Sequence, residues 1–534
     1  MKNIRLPQTL LFIAVTVGTM TPLISGAPNN NFKKWARSLT KTPQSQTEQT
    51  TKARQLAHAA LEAMGGEVKL RALSSIKIEA IGHNFAVEQS ERPEGPYLVT
   101  YQQIKEFRDL VNHRLHTDSQ IRFAQAPDWT ASTFIISDGM AAFARGDQTF
   151  PGKLDQVQDT AQRLALAPER LFFTALAAAD LRFDKDIVMQ SVPQHVIRFT
   201  LQKSLATIYL NAQTNLPTAV ETIKASPYDH FWSVWGDVTT RTFYTFWTLE
   251  QNGVHYPHQF DVVRNNYPLS SLTITNLKLN EPVTNDFFKI SEETRRAFAA
   301  QSLTKIDELP LGTPNRPAAE LAPGIIKIPG RWDVAIVNQT NGIVIIEAPI
   351  SSGYSAKVIE EAKRQFPHKR IIAVVTTSDA FPHLGGVREY AAQNVPIYAL
   401  DLNQPILERL LAARHSFYPD LLERSPHKAK FNFVSKKTAL GEGANRIELY
   451  PTRTETGERM MMVYFPEHKL LYGSDLIQKM PNGSFFMPQY LSELMQAVDR
   501  EKLKVESVFA MHSDKLAWAE VIDAAAQQSA ENPR

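Results

Sequence analysis

The sequence predicts two modules of different fold class in tandem, an antiparallel α+β module and then an α/β module. Three observations predict this. Apolar residues recur with a period of two through most of residues 75–279. Prolines then crowd at positions 310, 314, 317, 323 and 329, where the periodicity fails. Beyond them, fully apolar runs alternate with helical spacing, the pattern of strands buried on both faces. A chain of 534 residues also exceeds what one core usually serves, about 250–300 residues.

Composition narrows the function classes. With 43% hydrophobic and 21% charged residues the chain is globular. A net charge of +3 without a basic block argues against nucleic acid as the main partner. The absence of cysteine excludes disulfides, thiolate metal ligands, iron–sulfur clusters and a cysteine nucleophile. Any metal must be held by His, Asp or Glu.

Residues 1–27 have the layout of a secretory signal peptide: Lys2 and Arg5, an apolar run over 10–20, then Ser25-Gly26-Ala27. Pro28 is unfavourable just after that cut, which leaves the cleavage position open and makes an uncleaved anchor the competing reading. No other stretch reaches about 18 apolar residues. The mature protein is therefore expected to be periplasmic or secreted, with no stable membrane span. Residues 28–49 are polar and read as a loose segment.

The first module is assigned to residues 50–300. Ala53, Leu56, Ala60, Leu61 and Met64 keep helical spacing, stopped by Gly65-Gly66. Strands are expected at 75–80, 97–106, 116–124, 133–137, 195–201, 207–210, 239–249 and 272–279, with a second helix at 160–180. This is a curled sheet wrapped on helices. The cues A-L-E-A-M-G-G at 60–66, N-L-P-T-A-V-E at 215–221, G-V-H-Y-P-H at 253–258 and L-K-L-N at 277–280 resemble outer-membrane lipoprotein carrier-type domains. That resemblance implies a concave apolar face for an acyl chain or hydrophobic peptide. Phe231, Trp232, Trp235, Phe243, Tyr244, Phe246 and Trp247 are candidates to line it, ordinary sheet core being the other reading.

Residues 301–331 are assigned to a Pro-rich linker and 332–534 to the second module. Strands are expected at 333–338, 343–347, 371–375 and 395–399, and helices at 356–366 and 386–393. The apolar strand at 371–375 leads into T-T-S-D-A-F-P-H-L-G-G-V-R-E-Y at 376–390, and strand ends in α/β sheets are where sites collect.

That segment resembles the metallo-β-lactamase superfamily, whose signature here is T-H-x-H-x-D-H-x-G-G. Anchored on Gly385-Gly386, the last signature histidine is His383, while Ser378, Ala380 and Pro382 replace the other three ligands. The landmarks around it persist in order: V-A-I-V-N-Q-T-N-G-I-V-I-I-E ending in the acid Glu347, N-V-P-I-Y-A-L at 394–400, and V-Y-F-P-E-H-K-L-L-Y-G-S-D-L leading to Asp475. V-F-A-M-H-S then ends on His512, and Thr454 stands where the family's G-H-T-P-G loop has its histidine.

The resemblance implies a metallo-β-lactamase-like αββα sandwich, and it also sorts the losses. Every histidine of one metal's set is gone, whereas His383, Asp475 and His512 survive from the other. The implied site is mononuclear: one divalent ion, zinc first and iron or manganese next, or no ion where the fold has outlived its metal. Two imidazoles, a carboxylate and an open position suit a catalytic ion. Asp379, four residues before His383, is the candidate auxiliary ligand or base for the bound water. The expected function is an exported metal-dependent hydrolase acting on a small-molecule or hydrophobic envelope-derived substrate. The alternative is a non-catalytic periplasmic binding or scaffold protein.

Other signals carry less. His113 and His116, like His255 and His258, stand three apart, which on a strand puts them on opposite faces. Gly441-Glu442-Gly443 reads as a turn, and Lys428, Lys430, Lys436 and Lys437 as a solvated face before an anion site. G-x-S-x-G, P-loop and H-E-x-x-H motifs are absent from the sequence.

Overall fold

The computed structural model describes residues 45–531 except 88–94, 96, 124–127, 314 and 481. The signal peptide expected at 1–27 and nearly all of the loose segment 28–49 lie outside the described residues. The end of that segment is helical. Ser45 caps helix Gln46–Ala63, its hydroxyl accepting from Glu48 N while the Glu48 carboxylate accepts from Ser45 N. This capping box starts the helix four residues before the expected boundary at 50.

Thirteen strands make one antiparallel sheet. The first six, Ser75–Phe85 through Gln148–Pro151, and the last seven, Arg182–Met189 through Tyr267–Leu279, each pair with their neighbours in sequence. The non-local join sets the first strand beside the last, Ile76 opposite Leu279. Helix Gln46–Ala63 packs against this sheet. Its Ala53, Ala57 and Ala60 are fully buried with Phe172, Phe199 and Ile208, since short side chains let the helix approach closely. Two of the sequence cues turn out to touch. A Cβ on Gly65 (φ +114°) would meet the Gly253 carbonyl at 2.3 Å, and His255 N donates to Met64 O at 2.9 Å.

The helix expected at 160–180 is two helices, Leu154–Ala165 and Leu171–Ala177. Pro168 breaks them, having no N–H and disfavouring helical geometry in the residue before it. Glu169 in the break joins a buried network. Arg108 reaches Glu106 at 2.6 Å and Glu169 at 2.8 Å, and Tyr256 donates to Glu169 at 3.0 Å.

The seven aromatics proposed as a lining do not share a face. Strand Asp237–Leu249 alternates, so Tyr244 points inward and donates to Leu166 O, while Phe243 packs on the other side with Val196 and Tyr209. Phe246, at φ +59°, is 75% exposed. Trp232 and Trp235, around the turn Ser233–Trp235, belong to a core shared with the C-terminal sheets, and Phe231 packs against that core.

The C-terminal half holds two mixed sheets in simple sequence order. One has seven strands, Ala319–Ala322 through Phe431–Val434, and the other six, Thr438–Leu440 through Ser513–Ala517. The first of these corrects the linker. Ala319–Ala322 and Ile325–Ile328 lie within 301–331 yet form a hairpin that extends the sheet onto Val334–Gln339. Pro317, Pro323 and Pro329 stand at the ends and turn of that hairpin, so they interrupt no ladder.

Both faces of the six-stranded sheet are covered. Leu449, Met461, Val463, Phe465 and Phe509 face the core shared with the seven-stranded sheet. The alternate residues Tyr450, Met462, Tyr464 and Val508 pack with Leu491 and Leu494 of helix Pro488–Arg500 and Val521 of helix Trp518–Glu531. Helix Ser352–Gln365 buries Tyr354, Val358 and Ile359 against the seven-stranded sheet's core.

The Arg108 network gives this fold a pH signature. Burial pushes the Glu106 carboxyl up, but Arg163 and Arg108 outweigh it and hold the group at about 2 instead of 4.5. A lowered folded-state value stabilises above the unfolded value, and the contribution is lost as pH falls from about 4.5 toward 2. Arg108→Met leaves Glu106 and Glu169 buried without their shared partner. It should lower unfolding free energy by about 3 kcal/mol or more at neutral pH and flatten that acid dependence. Urea denaturation at several pH values measures both, and a loss below about 1 kcal/mol would show the network to be dispensable.

Candidate metal centre

Strand pairing brings the surviving residues of the depleted motif together. Strands Leu470–Tyr472 and Ser507–Ala510 run parallel, with Tyr472 opposite Phe509. The chain therefore leaves both at the same edge, delivering Asp475 in the turn Ser474–Leu476 and His512 just past the second strand. Strand Ile371–Thr376 of the other sheet ends beside them: Met461 N donates to Thr377 O at 2.8 Å, and the Thr377 and Ser474 hydroxyls are 2.7 Å apart. The loop after Thr377 then leads into helix Phe381–Leu384, which carries His383.

Gly385-Gly386 serves close packing here. A Cβ on Gly385 would lie 2.2 Å from Ile350 O, and one on Gly386 would lie 1.9 Å from the Ser355 hydroxyl. Ile350 N donates to Pro382 O and Gly386 N to Ala348 O, which seats the His383 helix on the 348–351 loop.

One ligating atom from each of His383, Asp475 and His512 lies within 4.8 Å of the others. His383 Nε2 is 2.9 Å from Asp475 Oδ2, and His512 Nε2 is 3.3 Å from Asp475 Oδ1. These pairs are close without the alignment of hydrogen bonds, and His383 Nε2 and Asp475 Oδ1 remain buried with no hydrogen-bond partner. Two orphaned atoms of a His/Asp set, aimed at a common point, fit a bound cation. His383 and Asp475 are buried, whereas His512 is 28% exposed and forms the open side.

The other ring nitrogen of His383 faces Glu347, with Nδ1 3.1 Å from Oε2. Glu347 Oε1 accepts from Tyr472 at 3.0 Å and from Thr377. Such a carboxylate behind a histidine fixes the ring's orientation. Glu347 (φ +78°) and Ser474 (φ +53°) both take left-handed backbone geometry while fully buried. Non-glycine residues held this way cost about 1–3 kcal/mol each and cluster at functional sites. Burial works against a charged His383, but Asp475 and Glu347 outweigh it and raise the ring to about 10. Burial likewise opposes ionisation of Asp475, which His383 and His512 nevertheless hold far below the usual carboxylate range.

Asp379 is buried nearby but contributes no atom to the converging group. Burial, reinforced by the Asp475 carboxylate, lifts its carboxyl well above the ordinary range against the pull of Arg459 and His383. Where the resemblance expects histidines, Ser378 donates to Asp475 Oδ2 at 3.2 Å and accepts from Ala380 N, and the Thr454 hydroxyl is buried without a partner. Pro382 lies in the first turn of the His383 helix. The residues that reading by sequence overlooked are Thr377, Tyr472 and Ser474. All three flank motif positions already singled out, so the signal was a polar side chain buried at the end of an apolar strand.

Three of the histidines set aside in the sequence are engaged elsewhere. His116 Nδ1 meets Phe287 O at 2.7 Å, His255 Nδ1 meets Ala63 O at 2.8 Å, and His258 pairs with Glu250 at 2.8 Å. Lys437 pairs with Glu448 at 3.0 Å. Two cavities, one lined by Ser226, Ser351 and Tyr418 and the other by Arg388, Arg414 and His427, are lined by none of the three donors.

Glu347→Gln keeps the size of the buried acid but puts an amide where oxygen accepts from His383, Thr377 and Tyr472. It should destabilise the protein by about 1–3 kcal/mol through the unmatched donors. A denaturation midpoint indistinguishable from wild type would remove Glu347 as the fixed support of the ring.

No protein-family model matches the chain, and no curated protein matches it. Solved structures do. The stereoselective inverting sec-alkylsulfatase Pisa1 from Pseudomonas sp. shares 16% identity at a TM-score of 0.31, over 41% of this chain and 41% of that one. This chain thus spans about two fifths of the sulfatase's length. The metallo-β-lactamase FIM-1 from Pseudomonas aeruginosa, in its mono-zinc form, shares 15% identity at 0.31, over 42% of this chain and 97% of that one. The DIM-1 metallo-β-lactamase shares 14% at 0.30, over 40% and 97%. The chain is similar to proteins of the metallo-β-lactamase fold over about two fifths of its own length.

Proposed function

We propose that this chain is an exported metal-dependent hydrolase. In this reading residues 1–27 are a signal peptide, 50–300 an antiparallel α+β module, and 332–534 an αββα sandwich of the metallo-β-lactamase type. His383, Asp475 and His512 hold one divalent ion, zinc before iron or manganese. The observation that carries the reading is the convergence of these three donors within 4.8 Å, with His383 Nε2 and Asp475 Oδ1 left without hydrogen bonds. No helix among the described residues is long and apolar enough to cross a membrane.

The chemistry that a divalent ion supplies at such a site is a lowered pKa for bound water and polarisation of a carbonyl or phosphoryl group. The chain's own residues set the conditions for it. Glu347 orients the His383 ring from behind, and Ser378 holds the second oxygen of Asp475. His512 leaves its side open for a small substrate. Asp379, buried nearby, is the candidate base for the bound water, its carboxyl lifted above the ordinary aspartate range by burial.

Elemental analysis of the purified full chain tests this reading. About one equivalent of zinc, iron or manganese is expected, falling below about 0.2 in His512→Ala, whose half-open ring can be removed without emptying a core. Stripping the ion with a chelator should lower the melting temperature, because a ligand that binds only the folded state stabilises it. Less than about a tenth of an equivalent after reconstitution with each metal in turn would favour the non-catalytic binding protein instead.

A further inference from the structure

Helix Phe381–Leu384 has four residues, a single turn that cannot support itself. One side is seated on the 348–351 loop through Ile350 N to Pro382 O at 2.7 Å and Gly386 N to Ala348 O at 2.8 Å. The other side is Phe381, which is 1% exposed, and its aromatic neighbours come from the N-terminal module. Trp235 stands 5.2 Å from the Phe381 ring at 78°, Trp232 5.5 Å away at 87°, and Tyr267 6.0 Å away. Edge-to-face contacts at these distances are attractive and directional.

These indoles are themselves held. The Asp229 carboxylate accepts from Phe231 N and Trp232 N, fixing the turn before them. Arg409 stacks on Tyr267 at 4.2 Å and on Trp235 at 5.5 Å while donating to Asn265 O at 2.9 Å. Asp237 N donates to Arg414 O at 2.8 Å. A continuous chain of contacts therefore runs from the thirteen-stranded sheet through two indoles and one phenyl ring to a helix that carries His383 two residues on.

We propose that Trp232 and Trp235 are positioning residues of the metal centre, so that the N-terminal module, remote in sequence, sets the orientation of His383 through Phe381. The inference rests on the metal reading above and extends it: the C-terminal half alone leaves Phe381 without the aromatic contacts that hold its helix.

The test titrates the metal-free full chain with cobalt(II), following the visible absorption of the bound ion. Trp235→Leu and Phe381→Leu should weaken cobalt binding about 10- to 100-fold, the usual effect of removing support behind a ligand, and should change the band positions. Trp235→Phe should restore both, and Phe246→Ala, an exposed site on the same module, should change neither. Arg409→Ala, which loosens the indole from the protein's surface side, should give a smaller weakening and serves if Trp235→Leu does not fold. Wild-type affinity and spectrum in a folded Trp235→Leu or Arg409→Ala protein would overturn the proposal. If the wild-type chain binds no cobalt, the metal reading fails by itself. The clamp is then judged by the ring nitrogen shifts of His383, assigned by difference against His383→Gln: a shift in Trp235→Leu upholds it and unchanged resonances overturn it.

Discussion

The C-terminal half is organised around one constraint, that an imidazole lies between two carboxylates out of reach of bulk water. Isolated burial of any of these ions is prohibitive, and burial of the set is tolerable only with close partners on every side. His383 meets Glu347 on one nitrogen and Asp475 on the other. Hydroxyls of Thr377, Tyr472 and Ser378 take up further carboxylate lone pairs. A divalent cation held by Asp475, His512 and a deprotonated His383 Nε2 would replace the ring's proton as the positive partner where hydrogen bonds do not reach. The left-handed backbone at Glu347 and Ser474 is a local cost accepted to bring those side chains into the array.

Much of this was legible in the sequence because it is carried by local pattern. The apolar runs at 343–347 and 371–375 read as strands buried on both faces, and a polar residue just past such a strand is at the sheet's edge. The resemblance to the metallo-β-lactamase signature, laid over that pattern, is what singled out Glu347, His383, Asp475 and His512. What was not legible depends on distant partners. Strands Arg182–Met189 and His255–Arg264 carry too many charged and aromatic residues for a clean alternation; pairing with Val192–Leu201 makes the first a strand at the sheet's edge, and pairing on both sides makes the second one. The hairpin inside the proline-rich stretch was hidden because proline density reads as a broken chain, whereas here the prolines sit at strand ends. The aromatic set from Phe231 to Trp247 failed as a single lining for a similar reason: spacing places residues on a strand's two faces, but only the tertiary fold says what covers each.

The substitutions at the depleted motif make physical sense once the helix is seen. A signature loop rich in histidine would need its side chains aimed at a metal. In this chain the same stretch is a loop that turns into one helical turn, with Pro382 suited to its start and Ala380 short enough to precede it. Ser378 keeps a small polar group against Asp475, doing for that carboxylate by hydrogen bond part of what a second metal would do by charge. Asp475 and His512 stand at the sheet edge, where the pairing of Leu470–Tyr472 with Ser507–Ala510 fixes both.

His383 has no such strand. Its helix is short, its glycines leave no freedom to slide along the 348–351 loop, and the remaining free direction is away from the sandwich, toward the N-terminal indoles. A module that closes this direction is therefore part of the site's architecture. The buried aromatic contacts and the buried charge array then become one problem: the ring of His383 stays between its two carboxylates only while Phe381 stays under Trp232 and Trp235.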